Sequence, residues 1–176
     1  EIMAALIPGH PTPIAPNAWR VLGRNPGMMT GPGTNSYLVG DRALTVIDPG
    51  PVDHEHTQAL LHAAEKIGRP IEQILVTHTH RDHSPGAREL AEASGARLLG
   101  HVGNHLCYLM VDQNLLFTGD HLIQGSTVVI APPSGSMAAY MDSLALLRDY
   151  RIDLMAPGHG DVIDDPMATV DKTLAH

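Results

Sequence analysis

The chain has 176 residues, 43% of them hydrophobic, which suits one globular domain with a sizeable core and excludes a disordered segment. Eleven basic against 19 acidic residues give a net charge of −8, with no basic run of the kind that grips nucleic-acid phosphates and no apolar stretch long enough to span a membrane. Cys107 is the single cysteine, so an intrachain disulfide and a thiolate metal cluster are both excluded, and the 12 histidines are the compositional oddity.

Residues 1–33 read as irregular, because "PGHPTPIAPN" and "NPGMMTGPG" are dense in Pro and Gly. No secretory leader pattern is visible there, which predicts a cytoplasmic protein. "TNSYLVG" (34–40) and "ALTVIDPG" (43–50) predict a hairpin across a short turn. Residues 53–68 place apolar side chains at helical spacing and end on Gly68. "EQILVTH" (72–78) predicts a buried strand, and 84–95 a helix with Ser84 as its cap and Pro85 in its first turn. "ARLLG" predicts another strand and runs straight into "HVGNHLCYLMV". "QNLLFTGD" (113–120), a helix over 137–150, "DLMAPGHG" (153–160) and a helix that continues to the chain end complete the pattern. Strands alternate with helices, which is the signature of a layered α/β domain.

Histidines and acids follow four apolar strand-like runs. "ILV" precedes His78, His80, Asp82 and His83; "LLF" precedes Asp120; "DLMA" precedes His159; and His101 opens the segment after "ARLLG". Taken singly, a histidine can be a hydrogen-bonded core residue and an aspartate a turn or helix cap. Four such groups within residues 78–83 are different. Burying them without partners costs several kcal/mol, and exposing them would not require a preceding apolar strand. A turn after a strand lets positions i, i+2, i+4 and i+5 converge, and a bound cation resolves the conflict.

"THTHRDH" matches the H-x-H-x-D-H signature of the metallo-β-lactamase-fold hydrolases, and "TGD" (118–120) and "PGHG" (157–160) match later motifs of that superfamily in the same order. "MTGPGTNSYLVG", "FTGDHLIQGSTVVIAPP" and "LMAPGHG" most resemble its beta-lactamase-like protein 2 branch, close to the glyoxalase II type. The resemblance implies a four-layer αββα sandwich. It also implies one metal on His78, His80 and His101 and a second on Asp82, His83 and His159, with Asp120 bridging both. His101 matches through "GH" followed four residues later by His105, although the usual "TP" before it is absent. The family normally has several strands between the helix after the signature and this loop. A single domain over residues 1–176 is therefore expected, with a segment missing between Gly100 and His101 and another beyond His176.

Imidazole and carboxylate ligands suit two divalent ions, with zinc preferred and iron or manganese as alternatives. Two such ions about 3.5–4 Å apart share a water and lower its pKa toward neutrality. The expected function is a dinuclear hydrolase that uses a metal-bound hydroxide on an ester, thioester, lactone or phosphodiester. Asp120 would orient the attacking water, with Asp82 beside it. Asp48 is either a second partner to a ligating histidine or a turn cap. His121 is either such a second partner or a plain strand residue, His105 reads as a plain strand residue, and Ser126 and Thr127 line the substrate or serve structure. The alternatives are a metal-dependent endoribonuclease of the beta-lactamase-like protein 2 type, a mononuclear iron persulfide dioxygenase and a non-catalytic scaffold. The expected partner is a small-molecule substrate or a short RNA, with no membrane and no DNA-binding surface; a homo-oligomer is left open.

Overall fold

A computed structural model describes residues 6–99, 105–123 and 137–175. The first sheet begins earlier than the Pro and Gly content suggests. Strand β1 (Pro11–Ala15) and strand β2 (Ala18–Leu22) form a hairpin inside the segment expected to be irregular. Two features explain the difference. Pro11 and Pro13 cannot donate to a sheet, but β1 lies at the sheet edge, where proline is tolerated. The turn between the strands places Asn17 at φ 59°, a left-handed conformation that Asn adopts readily.

Strands β3 (Asn35–Val39), β4 (Leu44–Ile47), β5 (Ile71–Leu75) and β6 (Arg97–Leu99) continue the sheet in the order β1-β2-β3-β4-β5-β6. Pairing is antiparallel as far as β4 and parallel from β4 through β6. The parallel steps cross over through helix α1 (His54–Ile67) and helix α2 (Gly86–Ser94). Asp53 caps α1 by accepting from Glu55 N at 3.0 Å, and Gly68 ends it at φ 79°. Ser84 does not cap α2. The amides of His83 and Ser84 and the Ser84 hydroxyl all turn back onto His80 O, so Ser84 belongs to the preceding turn and the helix starts two residues later.

The second sheet holds β7 (Tyr108–Met110), β8 (Leu115–Gly119) and β9 (Leu154–Pro157); β7 pairs antiparallel with β8, and β8 parallel with β9. Helix α3 (Met137–Leu146) precedes β9, and α4 (Pro166–Leu174) follows it. Side-chain alternation along the strands builds three cores. Leu38 and Val46 face α1 and α2, where they meet Leu60, Ala63 and Leu90. Tyr37 and Ile47 face the other sheet, where they meet Leu115, Phe117 and Ala156. Leu116 and Met155 face outward to Leu144 and Val170 on α3 and α4. The layers are therefore α, β, β and α, as the resemblance implied. No helix among the described residues is long and apolar enough to cross a membrane.

Asp48 follows β4, residues 76–83 follow β5, Asp120 follows β8 and His159 follows β9. These are the carboxyl ends of the parallel strands, where α/β folds open a crevice. Gly119 lets the two sheets close there: at φ 51°, a Cβ on it would collide with Thr77.

Candidate metal centre

Asp48 is the buried hub of the centre. Its Oδ1 accepts from Thr77 N at 2.7 Å, and its Oδ2 from the Thr77 hydroxyl at 2.6 Å and from His83 Nδ1 at 2.9 Å. With its proton given to Asp48, the Thr77 hydroxyl accepts from His78 Nδ1 at 2.9 Å. His159 Nδ1 donates to Gly33 O at 3.1 Å. In all three rings Nδ1 is engaged, so Nε2 is the atom left to face the crevice.

These Nε2 atoms meet two carboxylates. His83 Nε2 and His159 Nε2 are 3.1 Å apart. Asp82 Oδ2 lies 3.3 Å from the first and 3.0 Å from the second, and Asp120 Oδ1 lies 3.2 and 3.4 Å from them. The other oxygen of Asp120, Oδ2, lies 3.3 Å from His78 Nε2. His80 sits edge-on to His78 with ring centroids 4.5 Å apart. Two groups each bring one donor atom per residue within 4.8 Å of one another: Asp82, His83, Asp120 and His159, and His78, His80 and Asp120. A third group joins Asp48 with His78 and His83, but the Asp48 oxygens are already taken by Thr77 and His83.

The electrostatics show the strain of this packing. Burial by itself pushes the His83 imidazolium down, yet hydrogen bonds to Asp120, Asp48 and Asp82 outweigh it and hold its pKa up at about 11. Burial by itself raises Asp82 and Asp120. The imidazoles of His159 and His83 beside the first, and of His78 and His83 beside the second, hold both well below the usual carboxylate range. His159 is shifted up, Asp82 and Asp120 overcoming its burial. Among the described residues, His78 Nε2 and Asp120 Oδ1 are buried without a well-aligned hydrogen-bond partner. Nitrogen lone pairs and carboxylate oxygens converge on shared points with too few protons to go round, a donor set that fits divalent cations.

His78, His80, Asp82, His83, Asp120 and His159 are thus brought together from three loops, those after β5, β8 and β9. His101, Ser126, Thr127 and the Gly100–His101 junction lie outside the described residues. His121 turns to α3, where Ser143 Oγ lies 2.9 Å from its Nε2 and Tyr140 donates to its carbonyl. His105, read from sequence as a plain strand residue, stacks on His78 with centroids 4.3 Å apart, because Leu106 N is tied to Thr77 O at 2.8 Å. Thr77, Gly33 and Gly158 also shape the centre. Gly158 has a sequence signal, since it directly precedes His159; a Cβ there would stand 2.5 Å from His83 Cε1.

The family model described as the metallo-beta-lactamase superfamily matches residues 29–105 and 96–159. The chain belongs to that superfamily. Among superfamily relatives, the lactamase-like protein adaB of Aspergillus niger is 30% identical, across 89% of this chain and 59% of its own length. The atrochrysone carboxyl ACP thioesterase of Aspergillus terreus is 27% identical, across 89% of this chain and 58% of its own length. The chain therefore spans less than two thirds of each. Solved structures share the fold. A beta-lactamase domain protein from Burkholderia ambifaria superposes with a TM-score of 0.79 at 17% identity, over 99% of this chain and 79% of that one. The metallo-beta-lactamase FIM-1 of Pseudomonas aeruginosa, in its mono-zinc form, gives 0.79 at 13% identity over 96% of both chains.

Proposed function

We propose that the chain is a metal-dependent hydrolase with a two-cation centre that cleaves a thioester or activated ester. The observation that carries this reading is the Asp120 carboxylate, whose Oδ2 faces His78 while Oδ1 faces His83 and His159. One carboxylate thus belongs to both ligand groups, the geometry a bridging ligand requires. His78, His80 and Asp120 would hold one cation, with His101 as a further ligand, and Asp82, His83, His159 and Asp120 the other. When bound, the pair supplies an activated water and polarises the scissile carbonyl.

The protein's own residues supply the rest. Asp48 holds His83 through Nδ1 and, by way of Thr77, His78, so that both rings keep Nε2 on the reaction side. Asp120 accepts a hydrogen bond from the attacking water and aims it at the carbonyl carbon. Water adds to the carbonyl carbon and gives up a proton, the carbon–sulfur or carbon–oxygen bond breaks, and the departing thiolate or alkoxide takes up that proton. A thioester is favoured over RNA on two grounds: the net charge of −8 repels a polyanion, and a relative carries the name of an acyl-carrier thioesterase.

The test is a substrate panel on zinc-loaded protein of measured metal content, covering acyl thioesters, lactones, bis-aryl phosphodiesters and short RNA. Two cations per chain and turnover concentrated on thioesters are expected. Preferential cleavage of RNA would replace the substrate, and a single iron per chain with no hydrolysis would replace the reaction.

A further inference from the structure

The loop that carries Asp48 is itself held from beneath by two buried residues, Ser36 and His56, for which the sequence alone suggests no role. Asp48 adopts φ 53°, a left-handed conformation that costs a non-glycine residue roughly 1–2 kcal/mol and persists only where its surroundings enforce it. Ser36, on β3, lies below it. Its Oγ stands 2.6 Å from Asp48 O and 2.8 Å from Nε2 of His56 on α1. A carbonyl only accepts, so the single hydroxyl proton goes to Asp48. His56 Nε2 must then donate to Ser36. The remaining nitrogen, His56 Nδ1, is buried with no partner among the described residues, and in this tautomer it carries no proton that would need an acceptor. Burial, which pushes the pKa of His56 down to about 4, keeps it neutral. The ring also lies against the loop backbone, since a Cβ on Gly50 would stand 3.1 Å from His56 Cδ2.

The loop grips His83 at two points: Asp48 Oδ2 accepts from its Nδ1, and Gly50 N donates to its carbonyl at 2.9 Å. We propose that His56 and Ser36 are positioning residues for the metal centre. Their one-way chain of hydrogen bonds, His56 to Ser36 to the Asp48 carbonyl, locks the strained backbone whose carboxylate orients His83 and, through Thr77, His78. The inference rests on the metal-centre reading only in treating those two rings as ligands.

The test uses the full chain labelled with nitrogen-15 at histidine, together with Ser36→Ala, His56→Phe and His56→Gln. His56→Phe keeps much of the ring volume and removes the donor; His56→Gln keeps a donor near the Nε2 position. In wild-type protein stripped of metal, the His83 Nδ1 proton should appear as an exchange-protected imidazole resonance. Ser36→Ala and His56→Phe should lose that protection and bind zinc about tenfold more weakly in chelator competition, whereas His56→Gln should retain both. Lowered melting temperatures in all three variants with protection and zinc affinity unchanged would overturn the proposal, as would His56→Gln behaving like His56→Phe. If His56→Phe does not fold, Ser36→Ala decides. A wild-type chain that binds no zinc would sink the two-cation reading and leave the positioning chain to be judged by proton exchange alone.

Discussion

Gly158 is a tight point directly against the ligands, and replacing it with alanine separates metal binding from folding. The added methyl carbon would stand 2.5 Å from His83 Cε1, 2.8 Å from Asp120 Oδ1 and 3.2 Å from Gly119 C. Non-bonded carbons prefer about 3.5–4.0 Å, so the His83 ring must retreat by roughly 1 Å. It is fully buried and anchored to Asp48 at 2.9 Å, which leaves it little room. The loop cannot swing away easily either. Tyr37 Oη donates to Pro157 O at 2.6 Å, Asn35 N to Gly158 O at 2.7 Å and Asn35 Nδ2 to Gly160 O at 2.9 Å. Overpacking of this kind costs about 1–3 kcal/mol, which in a chain of this size lowers the melting temperature by roughly 2–4 °C per kcal/mol.

Metal ligation is far less forgiving, since ligand distances hold to about ±0.2 Å. Gly158→Ala should therefore fold, melt somewhat lower and bind zinc about 10–100-fold more weakly. The assay is chelator competition alongside thermal melts of chelated protein. Gly160→Ala is the control. At φ 78° it is strained, but a Cβ there meets nothing within 4 Å, so it should lose roughly 1–2 kcal/mol of stability and no zinc affinity. Wild-type zinc affinity in Gly158→Ala would refute the placement of His83 and Asp120 as ligands around that point.

Asp120→Asn should fold and lose turnover by orders of magnitude, because an amide is a poor bridging ligand; near-normal turnover at confirmed metal content would remove Asp120 from the mechanism. For chelated protein, the melting temperature should peak near pH 6.5. His83, raised to about 11, contributes stability that is complete below its unfolded value of 6.5 and vanishes as pH climbs toward 11. His56 and His105, pushed down to about 4 by burial, remove stability as pH falls from 6.5 toward 4; below that range, Asp82 and Asp120, held low, lose theirs as they are forced to protonate. Zinc loading should abolish the decline between pH 6.5 and about 9, below the range in which the buried Cys107 thiol and Tyr37 phenol, both pushed up by burial, add a decline of their own; a decline in that window unchanged by zinc would mean that His83 is not a ligand. Zinc binding at pH 8 should also release at least about one proton per chain, the one His83 must surrender; calorimetry in two buffers of different ionisation enthalpy reads it, and zero release would contradict the raised His83.

The candidate ligands were legible because each follows an apolar run: His78 to His83 after β5, Asp120 after β8 and His159 after β9. A chain that ends a buried strand on ionisable groups announces its chemistry locally. β1 and β2 were not legible, since Pro11 and Pro13 argue against a strand and only the edge position of β1 makes them tolerable. The start of α2 was misread because Ser84, a good cap by type, is drawn into the turn around His80 O. Gly33 and Ser36 lie in the stretch "MTGPGTNSYLVG", but nothing in it marks what they touch, and His56 carried no signal. The atoms they meet belong to other elements, Gly33 touching a residue 126 positions away, and no local pattern encodes such a contact.

The centre crowds histidines and carboxylates into shared contacts, and the fold fixes where each of them stands. His83 and His159 present Nε2 to each other at 3.1 Å with two carboxylates alongside, an arrangement that free backbones would not preserve. They are not free. Gly158 N donates to Gly119 O at 2.8 Å, joining the Asp120 and His159 loops, and Leu106 N holds Thr77 O. Asp48 N is tied to Leu75 O at 3.0 Å, and Gly50 N to His83 O. Each ligand loop is thus pinned by main-chain hydrogen bonds to another loop or strand, at the ends of two sheets already locked by a shared core. Because the anchors are backbone groups, the ligand side chains are positioned before any cation arrives. This preorganisation ties the αββα packing to the chemistry: the same contacts that bring the two sheets together hold Asp120 between two groups of ligands that neither sheet could assemble alone.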